Sequence, residues 1–402
     1  MITLQDIMLA SERIKGKIHH TPLDYSTTFS NKKGFPVFLK LENLQKTGSF
    51  KLRGAVNSIA TLTSEDRERG VIAASAGNHA QGVAYAAQLM GCKATIVMPE
   101  GAPISKVAAT KGYGAEIILS GQSYDEAYDR ALEEEQKTGA TFIHAFNDYR
   151  IIAGQGTLAL EVLEDCPDVE NIVVPIGGGG LLAGIALAVK TIKPQVRLVG
   201  VQATGASAMY LSKQKGKLQS ISHVDTIADG IAVGRPGDLT FEIIKDKVDD
   251  IVTVTDEEIS QAILLLLERS KTVVEGAGAA GLAAVLSTKV SLPAGKTVVV
   301  LSGGNIDMTM VSHLIERGLI KAGRYVKIQT VLPDKPGNLQ RLLGIIAETR
   351  ANVISINHQR AKSTIAINQA EVEITLETRD EQHIRALLAL LTNAGYISTI
   401  ID

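Results

Sequence analysis

The chain has 402 residues, 45% apolar and 21% charged, with a formal net charge of −2, the composition of a globular protein with more than one core. That charge gives no electrostatic basis for binding nucleic acid or an anionic membrane, and no apolar run reaches the length of a bilayer span. No basic-then-apolar leader is visible in residues 1–20, and two cysteines, Cys92 and Cys166, are too few for a disulfide framework or a metal cluster, so a cytoplasmic location is expected by elimination.

In chain order, the first distinctive stretch is Thr47-Gly48-Ser49-Phe50-Lys51-Leu52-Arg53-Gly54-Ala55, which opens a helix continuing through Val56, Ile59 and Leu62. From about residue 68 to 305, short β-rich runs alternate with amphipathic helical stretches. Val71–Ser75 leads into His79–Met90, Ala94–Pro99 into Ile104–Lys111, and Ala115–Leu119 into Tyr124–Lys137. Thr141–Ala145, Asn171–Pro175, Arg197–Gln202 and Thr297–Ser302 continue the series of strands. This alternation predicts an α/β fold with parallel sheets covered on both faces. Ligands in such sheets bind at the carboxyl ends of the strands, where this sequence places its glycine-rich loops. From about Tyr325 the order becomes strand (Lys327–Leu332), turn (Asp334–Gly337), helix (Leu339–Thr349), two strands (Val353–His358 and Ala370–Thr378), helix (Glu381–Ala394) and a short strand (Ile397–Ile401). This is the ferredoxin-like βαββαβ arrangement. The expected division is a body at 1–320, a linker at 321–326 (overlapping the linking segment Gly318–Arg324) and a tail at 327–402.

Gly177, Gly178, Gly179 and Gly180 follow a strand and open a helix at Leu181–Lys190. Without Cβ atoms, backbone N–H groups can converge on an anion at the positive helix end. No Lys-Ser/Thr pair follows, so this is not a nucleotide P-loop. Gly178, Gly180 and Ala183 fit G-x-G-x-x-A, but the next strand ends in Gln202 where a ribose-binding acid would stand. A lone phosphate is therefore read here, against the alternative of a tight turn. Ser75-Ala76-Gly77-Asn78-His79 also joins a strand to a helix and offers backbone donors, a hydroxyl and an amide; simple N-capping by Ser75 or Asn78 is the equal alternative. Ser302, before Gly303-Gly304-Asn305, either faces a ligand or caps a strand end.

Lys51 lies in the first turn of its helix. The helix dipole and desolvation beside Phe50 both lower an ammonium pKa and favour the nucleophilic amine; an exposed helix lysine is the commoner alternative. No H-x-x-x-H, cysteine pair or carboxylate cluster points to a catalytic metal.

Ser49-Phe50-Lys51-Leu52-Arg53-Gly54-Ala55, Ser75 to Gly82, the four glycines and Ser302-Gly303-Gly304-Asn305-Ile306-Asp307 occur in an order and spacing that resemble the fold-type-II pyridoxal phosphate enzymes, and among them the threonine dehydratases (threonine ammonia-lyases). The likeness runs over about residues 5–318. It implies a tryptophan-synthase-β-like fold of two α/β lobes, the smaller at roughly 48–147, with pyridoxal 5′-phosphate between them. Lys51 matches the lysine that carries the cofactor and moves the substrate α-proton. Phe50 matches the residue packed beside the cofactor, Asn78 the amide on its ring hydroxyl, and Asn147 an asparagine nearby. Gly177, Gly178, Gly179, Gly180 and Leu181 match the phosphate loop, and Ser302 the hydroxyl partner of the ring nitrogen. Ser75, Ala76, Gly77, Asn78, His79 and Gly230 are placed around the substrate.

The resemblance implies loss of water from a hydroxy-amino acid and release of a keto acid and ammonia. A neutral Ser302 cannot hold the ring nitrogen protonated as an Asp would, which favours elimination. Serine racemases carry a second serine where this chain has Ala76, so poor racemisation is expected. Relatives that bind a divalent metal have acidic ligands where this chain has Gln202, Ala206 and Ala208, so no such site is expected. A 3-hydroxyaspartate dehydratase or a serine racemase is the alternative within the fold, and a non-catalytic amino-acid sensor the alternative outside it. The tail resembles an ACT domain, with Asp334, Gly337 and Asn338 in the turn where an amino-acid effector (isoleucine or valine) binds, and it implies a dimer or tetramer.

Overall fold

In the computed structural model, which describes residues 2–287, 289–360 and 365–401, the chain divides into two compact units, Met1–Asp307 and Met308–Asp402. Among the described residues, the first unit holds ten strands: β1 Leu23–Tyr25, β2 Val37–Leu41, β3 Val71–Ala74, β4 Ala94–Met98, β5 Glu116–Leu119, β6 Thr141–Phe142, β7 Asn171–Pro175, β8 Arg197–Ala203, β9 Asp250–Val254 and β10 Thr297–Leu301. They form a four-stranded sheet in the order β5-β4-β3-β6 and a six-stranded sheet in the order β1-β2-β10-β7-β8-β9. All pairings are parallel except β1 with β2. Every residue of β3, β7 and β10 is buried, as expected for central parallel strands with helices on both faces.

Six helices position the site: α1 Lys51–Ala60, α2 Asn78–Leu89, α3 Tyr149–Asp165, α4 Gly180–Ile192, α5 Asp238–Lys247 and α6 Gly276–Leu286. Helix α3 is the common support for α1 and α4. A Cβ on Gly154 would lie 2.6 Å from the carbonyl oxygen of Arg53, and one on Gly184 would lie 2.4 Å from that of Ile152. Backbone therefore packs directly on backbone at both crossings, and the helix bearing Lys51 and the helix opened by the four glycines dock on one rod.

A buried ion cluster joins α1 and α3 to β2 and the residue that follows it. The Arg53 guanidinium forks onto Glu42 (2.8 and 2.7 Å) and onto Glu161 (2.6 and 2.8 Å). Glu161 also receives the buried Lys40 ammonium at 2.7 Å. Burial works against the Arg53 charge, and the two carboxylates outweigh it.

The second unit begins with helix α7, Met308–Lys321, and continues as β11 Tyr325–Pro333, α8 Asn338–Glu348, β12 Asn352–Gln359, β13 Gln369–Glu377, α9 Glu381–Asn393 and β14 Ser398–Ile401. Its sheet is antiparallel in the order β12-β13-β11-β14, the ferredoxin-like arrangement. Val326, Ile328 and Leu332 of β11 meet Leu342, Ile346 and Leu387 of the helices in its core. The boundary differs from the expected linker at 321–326. It falls between Asp307 and Met308, because Met308, Val311, Leu314 and Ile315 recur at helical spacing and Leu314 is buried.

Candidate active site

The start of α1 is set by the chain after β10. The Phe50 amide donates to the Ser302 carbonyl at 3.1 Å and the Gly304 amide to that of Gly48 at 2.9 Å, with Ser49 bridging Gly303. Gly48 has φ +74° and no room for a Cβ against the Asn305 amide. The residue before Lys51 makes no side-chain cap. The Lys51 Nζ lies 5.4 Å from the centroid of the Phe50 ring and donates to the Ala145 carbonyl at 3.0 Å. Burial pulls the Lys51 pKa from 10.5 to about 8, and the Glu275 charge limits the fall.

Ala145 belongs to the loop after β6, which two histidines brace. The His79 Nε2–H donates to the Ile143 carbonyl at 2.8 Å. His144 Nδ1 accepts from the amides of Phe146 (3.1 Å) and Asn147 (2.9 Å). Burial, then the nearby Lys51 charge, lowers their pKa values to about 3 and about 4, so both rings are neutral near pH 7.

The Phe146 ring packs on the four-glycine loop, where a Cβ on Gly178 would lie 2.3 Å from a ring carbon. Gly179 has φ +99° and α4 starts at Gly180 with no side-chain cap. The Gly178 carbonyl is taken from behind by the Thr240 hydroxyl at 2.6 Å and the Gly237 amide at 3.2 Å. The first turn of α4 thus presents backbone donors and a positive helix end, a setting for a phosphate-like anion. Leu181 is buried just behind it.

Facing these elements, Asn78 opens α2. Its Nδ2 donates to Glu275 Oε1 at 2.8 Å, and its Oδ1 accepts from Asn305 Nδ2 at 2.8 Å. Glu275 stands before α6 with its amide on the Gly303 carbonyl at 3.1 Å. Burial pushes its carboxyl up to about 7, against the Asn78 hydrogen bond and the charges of Lys106 and Lys51. Gly230 lies beside it, a Cβ there falling 3.3 Å from Glu275 Oε1. The Ser75 hydroxyl accepts the Gly77 amide at 3.2 Å, and Ala76 packs with the apolar cluster of this lobe. Ser302, 2% exposed, follows the buried β10.

Lys51, Phe50, Asn78, Ser302, Gly230 and the glycine loop therefore share one region through their common partners. Two expected ligand residues differ. The His79 ring, expected near the substrate, is buried and spends its N–H on Ile143 because its helix turns it under the 143–147 loop. The Asn147 amide is engaged by α5, its Nδ2 on Asp238 at 2.6 Å and its Oδ1 on the Leu239 amide at 3.1 Å. In the second unit, the side chains of Asp334 and Asn338 in the expected effector turn have partners within the unit. Asn338 donates its side chain to the Pro333 carbonyl at 3.1 Å and its amide to Lys335 at 3.3 Å, Asp334 pairs with Arg360 at 3.1 Å, and Gly337 has φ +90°.

Sequence reasoning missed Glu275, Phe146 and His144, and named Asn305 within the Ser302 motif without giving it a role. The available signals were a lone acid before the small-residue run Gly276-Ala277-Gly278 and an aromatic pair around Ala145. Among the described residues, no group of three His, Cys, Asp or Glu is placed to hold a metal ion. No helix among them is long and apolar enough to cross a membrane.

Residues 14–304 match the family model described as pyridoxal-phosphate dependent enzyme. The chain is 52% identical over 396 residues to an L-threonine ammonia-lyase of Thermotoga maritima, covering 98% of each. Among solved structures it is similar to maize serine racemase (TM-score 0.76, 40% identity, 80% of this chain and 98% of that one). It is also similar to the processed form of threonine deaminase isoform 2 from Solanum lycopersicum (TM-score 0.74, 36% identity, 78% of this chain and 92% of that one).

Proposed function

The chain belongs to the pyridoxal-phosphate dependent enzymes, and on that premise we propose that it dehydrates and deaminates L-threonine to 2-oxobutanoate and ammonia, with L-serine to pyruvate as a side activity. The observation that carries the reading is Lys51, a desolvated amine with its pKa brought down to about 8 and its Nζ fixed on Ala145, in a chain 52% identical along its length to a threonine ammonia-lyase.

The residues present fit the cofactor. The uncapped first turn of α4, behind glycines that admit no Cβ, suits its phosphate. Asn78 supplies an N–H for the ring oxygen, Ser302 a neutral hydroxyl for the ring nitrogen, and Phe50 a ring beside Lys51. When bound, pyridoxal phosphate supplies the aldehyde that a lysine amine condenses with and the conjugated ring that draws electrons from the substrate Cα. Lys51, with a large neutral fraction near pH 8, moves the proton at the substrate Cα. The 143–147 loop holds that amine on the Ala145 carbonyl, and its neutral histidines add no charge beside it. Ala76 has no proton to give, which favours elimination over the racemisation named for the maize neighbour.

Within this reading, the reaction is the first step of isoleucine biosynthesis, carried out in the cytoplasm by a dimer or tetramer. The C-terminal unit is an ACT regulatory domain that receives isoleucine or valine at the turn of Asp334, Gly337 and Asn338. Its support is the βαββαβ order and the α8 start without a side-chain cap.

The test is keto acid formation by the cofactor-loaded chain with L-threonine, L-serine and 3-hydroxyaspartate in parallel, together with a Lys51→Ala variant. L-Threonine should be turned over fastest and Lys51→Ala should be inactive. Normal turnover by Lys51→Ala, or a preference for 3-hydroxyaspartate, overturns the reading.

A further inference from the structure

We propose that Asn305 is a positioning residue that fixes the polarity of the Asn78 amide, so that Asn78 presents a donor to the active site and cannot present an acceptor. The inference rests on the proposed function for the identity of the ligand, and on hydrogen-bond chemistry for the rest.

An amide side chain has two ends of nearly equal shape and opposite hydrogen-bonding sense, so its orientation follows from its partners. The chain of partners here is anchored on a backbone carbonyl, which can only accept. The Thr47 carbonyl lies 2.7 Å from one end of the Asn305 amide, which must therefore be Nδ2. The same Nδ2 lies 2.8 Å from one end of the Asn78 amide, which must therefore be Oδ1. The other end of Asn78 is then Nδ2, and it donates to Glu275 Oε1 at 2.8 Å. The two hydrogens of Asn305 Nδ2 are matched by these two acceptors, with Gln81 Oε1 at a marginal 3.5 Å.

The anchor is held rigidly. Thr47 precedes Gly48, whose carbonyl receives the Gly304 amide at 2.9 Å. Gly48 packs so closely on Asn305 that a Cβ would lie 2.3 Å from its Oδ1. The backbone of Asn305 therefore cannot move away without opening the segment that precedes Lys51. Asn78 flipped end for end would set its Nδ2 against Asn305 Nδ2, two donors with no acceptor between them, whatever the protonation state of Glu275.

The ring oxygen of pyridoxal phosphate carries negative charge when the bound cofactor absorbs at long wavelength, and an N–H facing it stabilises that form. Asn305 thus acts on the cofactor through Asn78 without touching it.

Three variants separate polarity from packing. Asn305→Leu keeps the shape with no polarity, Asn305→Asp keeps the shape with only acceptors at neutral pH, and Asn305→Ala loses the shape but admits a water that can donate to both carbonyl oxygens. The readouts are the dissociation constant for pyridoxal phosphate and the ratio of its long- to short-wavelength absorption bands when bound. They are taken at a temperature below the thermal transition of every cofactor-free variant. Polarity control predicts that Asn305→Asp is worst and Asn305→Ala best of the three, with Asn305→Leu binding about tenfold to a hundredfold more weakly than the wild type. The reverse order, with Asn305→Ala worst, assigns Asn305 to filling space behind Gly48 and overturns the proposal. Unchanged band ratios in Asn305→Asp and Asn305→Leu overturn it as well. If Asn305→Asp does not fold, the Leu and Ala comparison decides. A wild-type chain that binds no pyridoxal phosphate refutes the proposed function instead, which keeps the two failures apart.

Discussion

The Lys51 amine donates a 3.0 Å hydrogen bond to the backbone carbonyl of Ala145. A carbonyl orients an amine without taking a proton from it, so the bond holds Nζ in place while burial lowers its pKa to about 8. The position of Lys51 is therefore set by the 143–147 loop, and that loop rests on two neutral histidines.

His79→Leu tests that support. It removes the donor to the Ile143 carbonyl and leaves a buried acceptor unpaired, at a cost of roughly 1–3 kcal/mol in urea unfolding of the cofactor-free chain. The pH dependence has a defined sign. The folded pKa is about 3 against 6.5 for the free side chain, so the unfolded state binds more protons in that window. The wild type loses stability as pH falls from about 6.5 toward 3, and the variant should lose less.

Glu275 carries the opposite sign. Its folded pKa is about 7 against 4.5, so the folded state binds the extra proton between those values. Stability falls as pH rises through that window, and the penalty persists above it. Glu275→Gln should remove this slope, so the cofactor-free variant gains on the wild type from pH 4.5 to 7 in parallel denaturation curves. The Glu275 charge also holds the Lys51 pKa up. In the variant the pH midpoint for acylation of Lys51 should therefore fall below about 8, and an unchanged midpoint would show that the two groups are uncoupled.

What could be read from the sequence follows from locality. Asn171–Pro175 and the 297–301 run are legible because a parallel strand buried on both faces is a continuous apolar segment. The four glycines are legible because a loop crowded against Phe146 and Thr240 tolerates no side chains. Glu275 and Asn305 were not, since their roles arise from contacts with residue 78, some two hundred positions earlier. The side chain of His79 could not be assigned either, because its loop offers a ligand site on one face and the 143–147 loop on the other. The helix at 308–321 escaped as a domain start because its apolar spacing adjoins the Ser302 motif and reads as a continuation of it.

Arg53 supplies a stability test. It is fully buried and forks onto Glu42 and Glu161. Arg53→Met leaves Glu42 with the Thr21 hydroxyl in place of a cation, and removal of one partner from such a cluster costs roughly 3–5 kcal/mol. Arg53→Lys should recover only part of this, because an ammonium cannot fork onto two carboxylates. Urea midpoints order the three proteins. Equal midpoints for Lys and Arg would mean that charge alone suffices.

Gly184 tests the shared support. Its missing Cβ lets α4 lie on α3, where an added carbon would meet the Ile152 carbonyl at 2.4 Å. The neighbour is backbone and cannot rotate away. Gly184→Val should cost about 1–3 kcal/mol by overpacking. It should also shift α4, so that phosphate-dependent binding weakens more than a change in stability alone would cause. Titration of the folded variant with inorganic phosphate against the wild type measures this, and equal phosphate affinity would detach the glycine loop from the α3 support.

Ala76→Ser addresses reaction outcome. Residue 76 sits between Ser75, whose hydroxyl already accepts the Gly77 amide, and the start of α2, with a methyl group where a hydroxyl would add a proton donor. In the proposed reaction Lys51 would serve one face of the substrate Cα, and the Ala76 methyl could return no proton to the other. The deprotonated substrate would then lose its β-hydroxyl. With a serine hydroxyl at this position a second route opens, so the variant should release D-serine from L-serine while its rate of pyruvate formation falls. Chiral chromatography of the product mixture reads both routes in one assay. An Ala76→Ser enzyme that makes keto acid alone would show that the choice between elimination and racemisation is made elsewhere, with the weak electron draw set by the neutral Ser302 as the next place to look.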